Sequence, residues 1–157
     1  MRQLFFIFLA LFFITGCSFY PNFTFIGKSN NHYSNAESKL KSIAYEWRKT
    51  PYVLGGNTKR GADCSAFTQK ALLKFNTKIP RTTVTQLNSG IKVSKSHLKT
   101  GDLVFFRTGR GPNGMHVGIY MNKGNFIHLS SKGGVKEASL SNSYWKSRYI
   151  GARRYIK

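Results

Sequence analysis

Gly114-Met115-His116-Val117-Gly118-Ile119-Tyr120-Met121-Asn122-Lys123-Gly124-Asn125-Phe126-Ile127-His128-Leu129-Ser130 places two apolar runs, rich in β-branched and aromatic residues, around a short polar segment. Runs of this kind favour strands, and Asn122-Lys123-Gly124 forms a three-residue hairpin loop if Gly124 takes the left-handed conformation. Residue 118 then faces 128 and residue 116 faces 130. His116 and His128 consequently lie on one sheet face as diagonal neighbours, about 7 Å apart at Cβ. A two-residue loop would send them to opposite faces.

Working outward, Leu103-Val104-Phe105-Phe106 and the stretches 134–138 and 148–155 have the same strand-like composition, separated by Gly and Asn turns. Upstream the period changes. Ser34-Asn35-Ala36-Glu37 has the capping-box spacing, and Ala36, Leu40, Ile43 and Trp47 recur at helical intervals until Pro51. Asp63 is placed to cap a second helix with Phe67, Ala71, Leu72 and Phe75 inward, and Pro80-Arg81-Thr82-Thr83 opens a third that stops at Gly90. Helices followed by strands predict an α+β domain, N-terminal helices packed on an antiparallel sheet.

The chain has 157 residues, enough for one compact domain, and a hydrophobic share of 41% builds a core without disulfides or metals. Its 25 Lys and Arg face 5 Asp and Glu, a surface suited to an anionic polymer, an anionic membrane or nucleic acid. Charge alone does not choose among these.

Met1-Arg2, an apolar run over residues 4–14, and Thr15-Gly16-Cys17 follow the pattern of an export signal, because about 20 apolar residues are needed to cross a bilayer. Ile14-Thr15-Gly16-Cys17 also resembles the bacterial lipobox, whose cysteine is lipidated before cleavage in front of it. Residues 1–16 are then a lipoprotein signal peptide, residues 17–33 a lipid-anchored tether, and residues 34–157 the domain. The expected location is a membrane, through lipid on Cys17. In a Gram-negative cell, Ser18 is compatible with the periplasmic face of the outer membrane. A lipidated Cys17 leaves Cys64 with no disulfide partner in an oxidising compartment, where a free thiol is either buried and inert or used in chemistry.

Cys64 falls in the first turn of the second helix, where the partial positive charge of exposed N–H groups favours thiolate. An imidazole completes the pair by taking the thiol proton and returning it to a leaving amine. His116 and His128 stand out among four histidines because each interrupts an apolar strand.

Tyr52-Val53-Leu54-Gly55-Gly56, Gly61-Ala62-Asp63-Cys64-Ser65, Pro80-Arg81-Thr82, the run 101–106, the run 113–120 and Phe126-Ile127-His128 together resemble the NlpC family of papain-like cell-wall cysteine peptidases, over about residues 34–157. The resemblance implies a papain-like fold, with Cys64 as nucleophile, His116 as base and His128 as the residue orienting it. It further implies that Tyr52 contacts the oxyanion or substrate and that Asp63 and Ser65 help receive the peptide. For Asp63 the capping role competes. The implied substrate is a peptidoglycan stem peptide, cut between γ-D-glutamyl and a diamino acid such as diaminopimelate. An inert Cys64 would instead leave a non-catalytic peptidoglycan-binding module, and the same fold also serves amide or acyl transfer.

Other patterns carry less. Gly109-Arg110-Gly111-Pro112-Asn113-Gly114 has the spacing of a dinucleotide-binding glycine motif but lies between strands and opens no helix. No spacing of His and Cys suits a metal, and nothing calls for a cofactor. Nucleic acid is not an expected partner, since no reader motif accompanies the charge and the chain carries an export signal.

Overall fold

A computed structural model describes residues 29–110 and 112–156. The signal segment and Cys17 lie outside the described residues. Four helices, α1 (Ser29–Glu46), α2 (Cys64–Leu73), α3 (Thr83–Asn88) and α4 (Ser143–Arg148), accompany eight strands. The strands are β1 (Asn57–Thr58), β2 (Gly61–Ala62), β3 (Ile91–Val93), β4 (Leu103–Arg107), β5 (Met115–Tyr120), β6 (Asn125–Leu129), β7 (Val135–Ser139) and β8 (Tyr149–Arg154). Strands β1 and β2 form a small hairpin of their own, and the other six make an antiparallel sheet in the order β3-β8-β4-β5-β6-β7.

Helix α1 begins at Ser29, ahead of the Ser34 capping box, so the last part of the expected tether is helical. Of its predicted face, Ala36 is partly exposed, and Leu40, Ile43 and Trp47, the last just past the helix end, lie inside. With α2 they cover one side of the sheet, where Phe67, Ala71 and Leu72 meet Leu103, Phe105, Val117, Ile119, Ile127 and Leu129. Alternate residues point the other way, and there Val104, Phe106 and Phe126 pack with Leu140, Ala152 and the Trp145 side of α4. Burying both faces explains why β4 is apolar without interruption from Leu103 to Phe106.

The β5–β6 hairpin has the three-residue loop. Ile119 pairs with Ile127 and Tyr120 with Phe126, and the Met121 N–H donates to the Asn125 carbonyl at 2.8 Å. Gly124 (φ 84°) and Lys123 (φ 45°) are both left-handed, which closes the turn. His116 and His128 therefore fall on one face. Among the described residues no helix is long and apolar enough to cross a membrane.

Candidate active site

Asp63 lies in extended conformation, and its Oδ1 accepts the Ala66 N–H at 2.8 Å, so the helix starts at Cys64. The same carboxylate binds much more than a cap requires. Arg81 donates from Nη1 to Oδ1 at 2.9 Å and from Nη2 to Oδ2 at 3.0 Å. Ser65 Oγ donates to Oδ1 at 2.9 Å, and the Gly55 N–H to Oδ2 at 3.0 Å. Burial alone pushes the Asp63 carboxyl up, but Arg81, the Ala66 N–H and Ser65 together outweigh it and hold it below the usual range. Arg81 Nη2 also reaches the carbonyls of Gly55 and Gly56, at 3.1 and 2.8 Å, and so ties the loop after Tyr52 to the start of α2.

Asp63 and Ser65 are thus fully engaged inside the protein and buried. Asp63 caps α2 as its position before the helix predicts. The Arg81–Asp63 ion pair was not predicted, because its partners lie eighteen residues apart in sequence.

Cys64 is completely buried. Its sulfur meets Thr83 Oγ1 at 3.7 Å, and the Val117 N–H and, less strongly, the Tyr52 hydroxyl also act on it as donors. Thr83 is held there by α3, which Gln86 fastens to the Ser65 and Pro80 carbonyls at 3.1 and 2.8 Å. Burial pushes the Cys64 thiol up, more strongly than the Val117, Thr83 and Tyr52 donors lower it. The resting group is therefore a thiol, although it occupies the helix terminus expected to favour thiolate.

His116 Nε2 and His128 Nδ1 are 2.9 Å apart. Burial, then the neighbouring ring, lowers His116 to about 3, and burial with the charge of Lys136 lowers His128 to about 4. Both rings are neutral near pH 7. If Nε2–H of His116 is the donor, a tautomer assigned from the hydrogen-bond pattern, its Nδ1 carries a free lone pair. Trp145 of α4 closes over the pair, with ring centroids 5.7 Å from His116 and 4.9 Å from His128. Nothing in the sequence pattern had marked Trp145, although Asn142 before Ser143-Tyr144 is a start signal that would have found its helix.

Cys64 and His116 share no hydrogen bond among the described residues. The β5–β6 pairing covers Ile119–Ile127 and Tyr120–Phe126, and Val117, two residues along β5, is a backbone donor that acts to lower the Cys64 thiol. Tyr52 bridges the two halves. Its hydroxyl faces Cys64, and its side chain lines a pocket of about 400 Å³ with His116, His128 and Trp145. Burial, ahead of the nearby sulfur and Asp63 charges, pushes the Tyr52 hydroxyl upward and keeps it a donor. Among the described residues no three His, Cys, Asp or Glu converge to hold a metal ion.

Residues 49–154 match the model of the NlpC/P60 family, which is more than half of the chain. The chain belongs to the NlpC/P60 family. A probable endopeptidase of Haemophilus influenzae is 50% identical over 120 residues, covering 76% of this chain and 74% of that protein. The probable endopeptidase NlpC of Escherichia coli is 45% identical over 116 residues, covering 73% and 75%. Among solved structures, an NlpC/P60 family protein from Bacillus cereus superposes with a TM-score of 0.67 at 33% identity, over 77% of this chain and 40% of that one. The NlpC/p60 domain of the peptidoglycan hydrolase SagA gives 0.60 at 33% identity, over 75% and 97%. This NlpC/P60 chain thus spans about two fifths of the Bacillus cereus protein and nearly all of the SagA domain.

Proposed function

We propose that this chain is a peptidoglycan endopeptidase that hydrolyses stem peptides through a thioester on Cys64. The observation that carries the proposal is the buried His116–His128 hydrogen bond in a pocket that also receives Tyr52, the residue whose hydroxyl faces Cys64. Family membership and relatives called endopeptidases support the reaction class. When a substrate carbonyl reaches Cys64, His116 Nδ1 takes the thiol proton as sulfur bonds to the carbonyl carbon. His128, accepting from Nε2, stabilises the imidazolium that forms. The Tyr52 hydroxyl and first-turn N–H groups of α2 are the donors available to the oxyanion. Collapse of the tetrahedral adduct breaks the C–N bond, and His116 returns its proton to the leaving amine. Water, deprotonated by His116, then releases the acid and restores the thiol.

The scissile bond proposed is that between γ-D-glutamyl and diaminopimelate, and the working location is a membrane reached through lipid on Cys17. Full-length protein in detergent is expected to release soluble fragments from murein sacculi, identified by mass spectrometry, and Cys64→Ala to release none. Equal release by Cys64→Ala would defeat the mechanism. Metabolic labelling with a fatty acid is expected to mark the wild type and to leave Cys17→Ser unlabelled. The complete burial of Cys64 favours one competing function, a binding module with an inert thiol. Wild type that retains sacculus binding without turnover would establish it.

A further inference from the structure

The pocket beside the histidine pair has a one-sided charge. Three cationic side chains from three different elements line it: Arg110 from the β4–β5 loop, Lys132 from the β6–β7 turn and Arg148 from the end of α4. None of the chain's five Asp and Glu does. Four of the five are committed elsewhere, Glu37 to Lys41, Glu46 to Lys59, Asp63 to Arg81 and Asp102 to Arg154. Glu137, the fifth, is an exposed residue of β7 paired with Ile127 in the sheet.

Arg148 is the best organised of the three. Its guanidinium stacks on the Tyr144 ring at 4.0 Å and donates from Nη1 to the Tyr144 carbonyl at 3.1 Å and to Ser147 Oγ at 3.2 Å. Every one of these bonds leaves from Nη1. The Nε–Nη2 edge, whose two parallel N–H groups match the two oxygens of a carboxylate, is unused among the described residues. Fixing the side chain in advance lowers the entropy lost when a ligand binds.

We infer that this pocket is a carboxylate-reading subsite: the substrate is an acidic peptide whose free carboxylate, close to the scissile bond, is held by the Arg148 fork in the field of Lys132 and Arg110. The inference rests on the peptidase function proposed above and names its substrate class. A peptide carrying a carboxamide at that position keeps the shape but loses the charge and one acceptor, and leaves the fork with a poor partner.

The test uses three synthetic stem peptides with full-length protein in detergent. One has all carboxylates free, one carries the glutamyl α-carboxamide, and one the side-chain carboxamide of diaminopimelate. Wild type is expected to cleave the free acid about tenfold better in kcat/KM than one of the two amides. In Arg148→Gln that ratio is expected to fall to within about twofold of unity, the size of a lost charge-assisted contact. Lys132→Gln, a second variant on an exposed turn, reads the same ratio if Arg148→Gln does not fold. Wild type that cleaves all three peptides alike, or variants that slow all three by one factor, would overturn the subsite. Failure of wild type to cleave any of them would overturn the peptidase function itself, and the subsite with it.

Discussion

At the scale of single residues, the histidine pair depends on a glycine. A Cβ added at Gly118 would lie 2.7 Å from the Phe126 ring, 2.8 Å from the Ile127 carbonyl and 3.2 Å from the His128 Cβ. Gly118→Ala is therefore expected to cost about 1–3 kcal/mol by overpacking and to push His128 off His116. Urea unfolding reads the first effect and kcat the second, and an unchanged kcat would separate the two. The pair also makes stability depend on acid. Both rings titrate below 6.5 in the fold, at about 3 and about 4, so below pH 6.5 the unfolded chain binds protons that the native chain refuses. Stability is complete above 6.5 and falls as pH drops toward those values, by about 1.4 kcal/mol per pH unit for each ring. His128→Asn is expected to flatten the urea midpoint against pH between 4 and 6.5 relative to wild type. His116 and His128 could be found from sequence because each interrupts an apolar strand, and Cys64 because it lacks a disulfide partner and opens a capped helix. The role of Arg81 could not, since no local pattern tells an arginine which carboxylate eighteen residues away it will meet.

At the scale of elements, what was readable is what local chemistry determines. Asp63 caps α2, and Asn122-Lys123-Gly124 sets the β5–β6 register and with it the shared face of the histidines. Strand β3 and the β1–β2 hairpin have three and two residues per element, too short for a period to show, and six-residue α4 is marked in sequence only by its Asn142 cap. Helix α4 nevertheless sets the dielectric of the site, since its Trp145 covers both rings. Trp145→Ala is expected to admit water, raise the His116 pKa toward 6.5 and move the acid limb of kcat/KM upward by at least about one pH unit. A pH-rate profile unmoved by the substitution would show that Trp145 contributes packing alone.

At the scale of the whole molecule, an excess of twenty positive charges accompanies a domain in which four of the five acids are held in ion pairs. Fields of this kind raise the local concentration of a polyanion and are screened by salt over about 8–10 Å. Turnover of sacculi is expected to fall more steeply between 50 and 500 mM salt, about fivefold or more, than turnover of a short soluble peptide. Equal salt dependence would assign the charge no part in reaching the polymer.

The Val117 donor also gives the molecule a reporter of its own. Because the Val117 N–H acts on the Cys64 sulfur as a donor, its amide proton senses the electron density there. In a nitrogen-15 correlation spectrum, the Val117 resonance should move when the thiol is acylated or alkylated, while Ile119, paired with Ile127, stays in place. One backbone signal would then follow the covalent intermediate as it forms and is hydrolysed, with no label on the substrate.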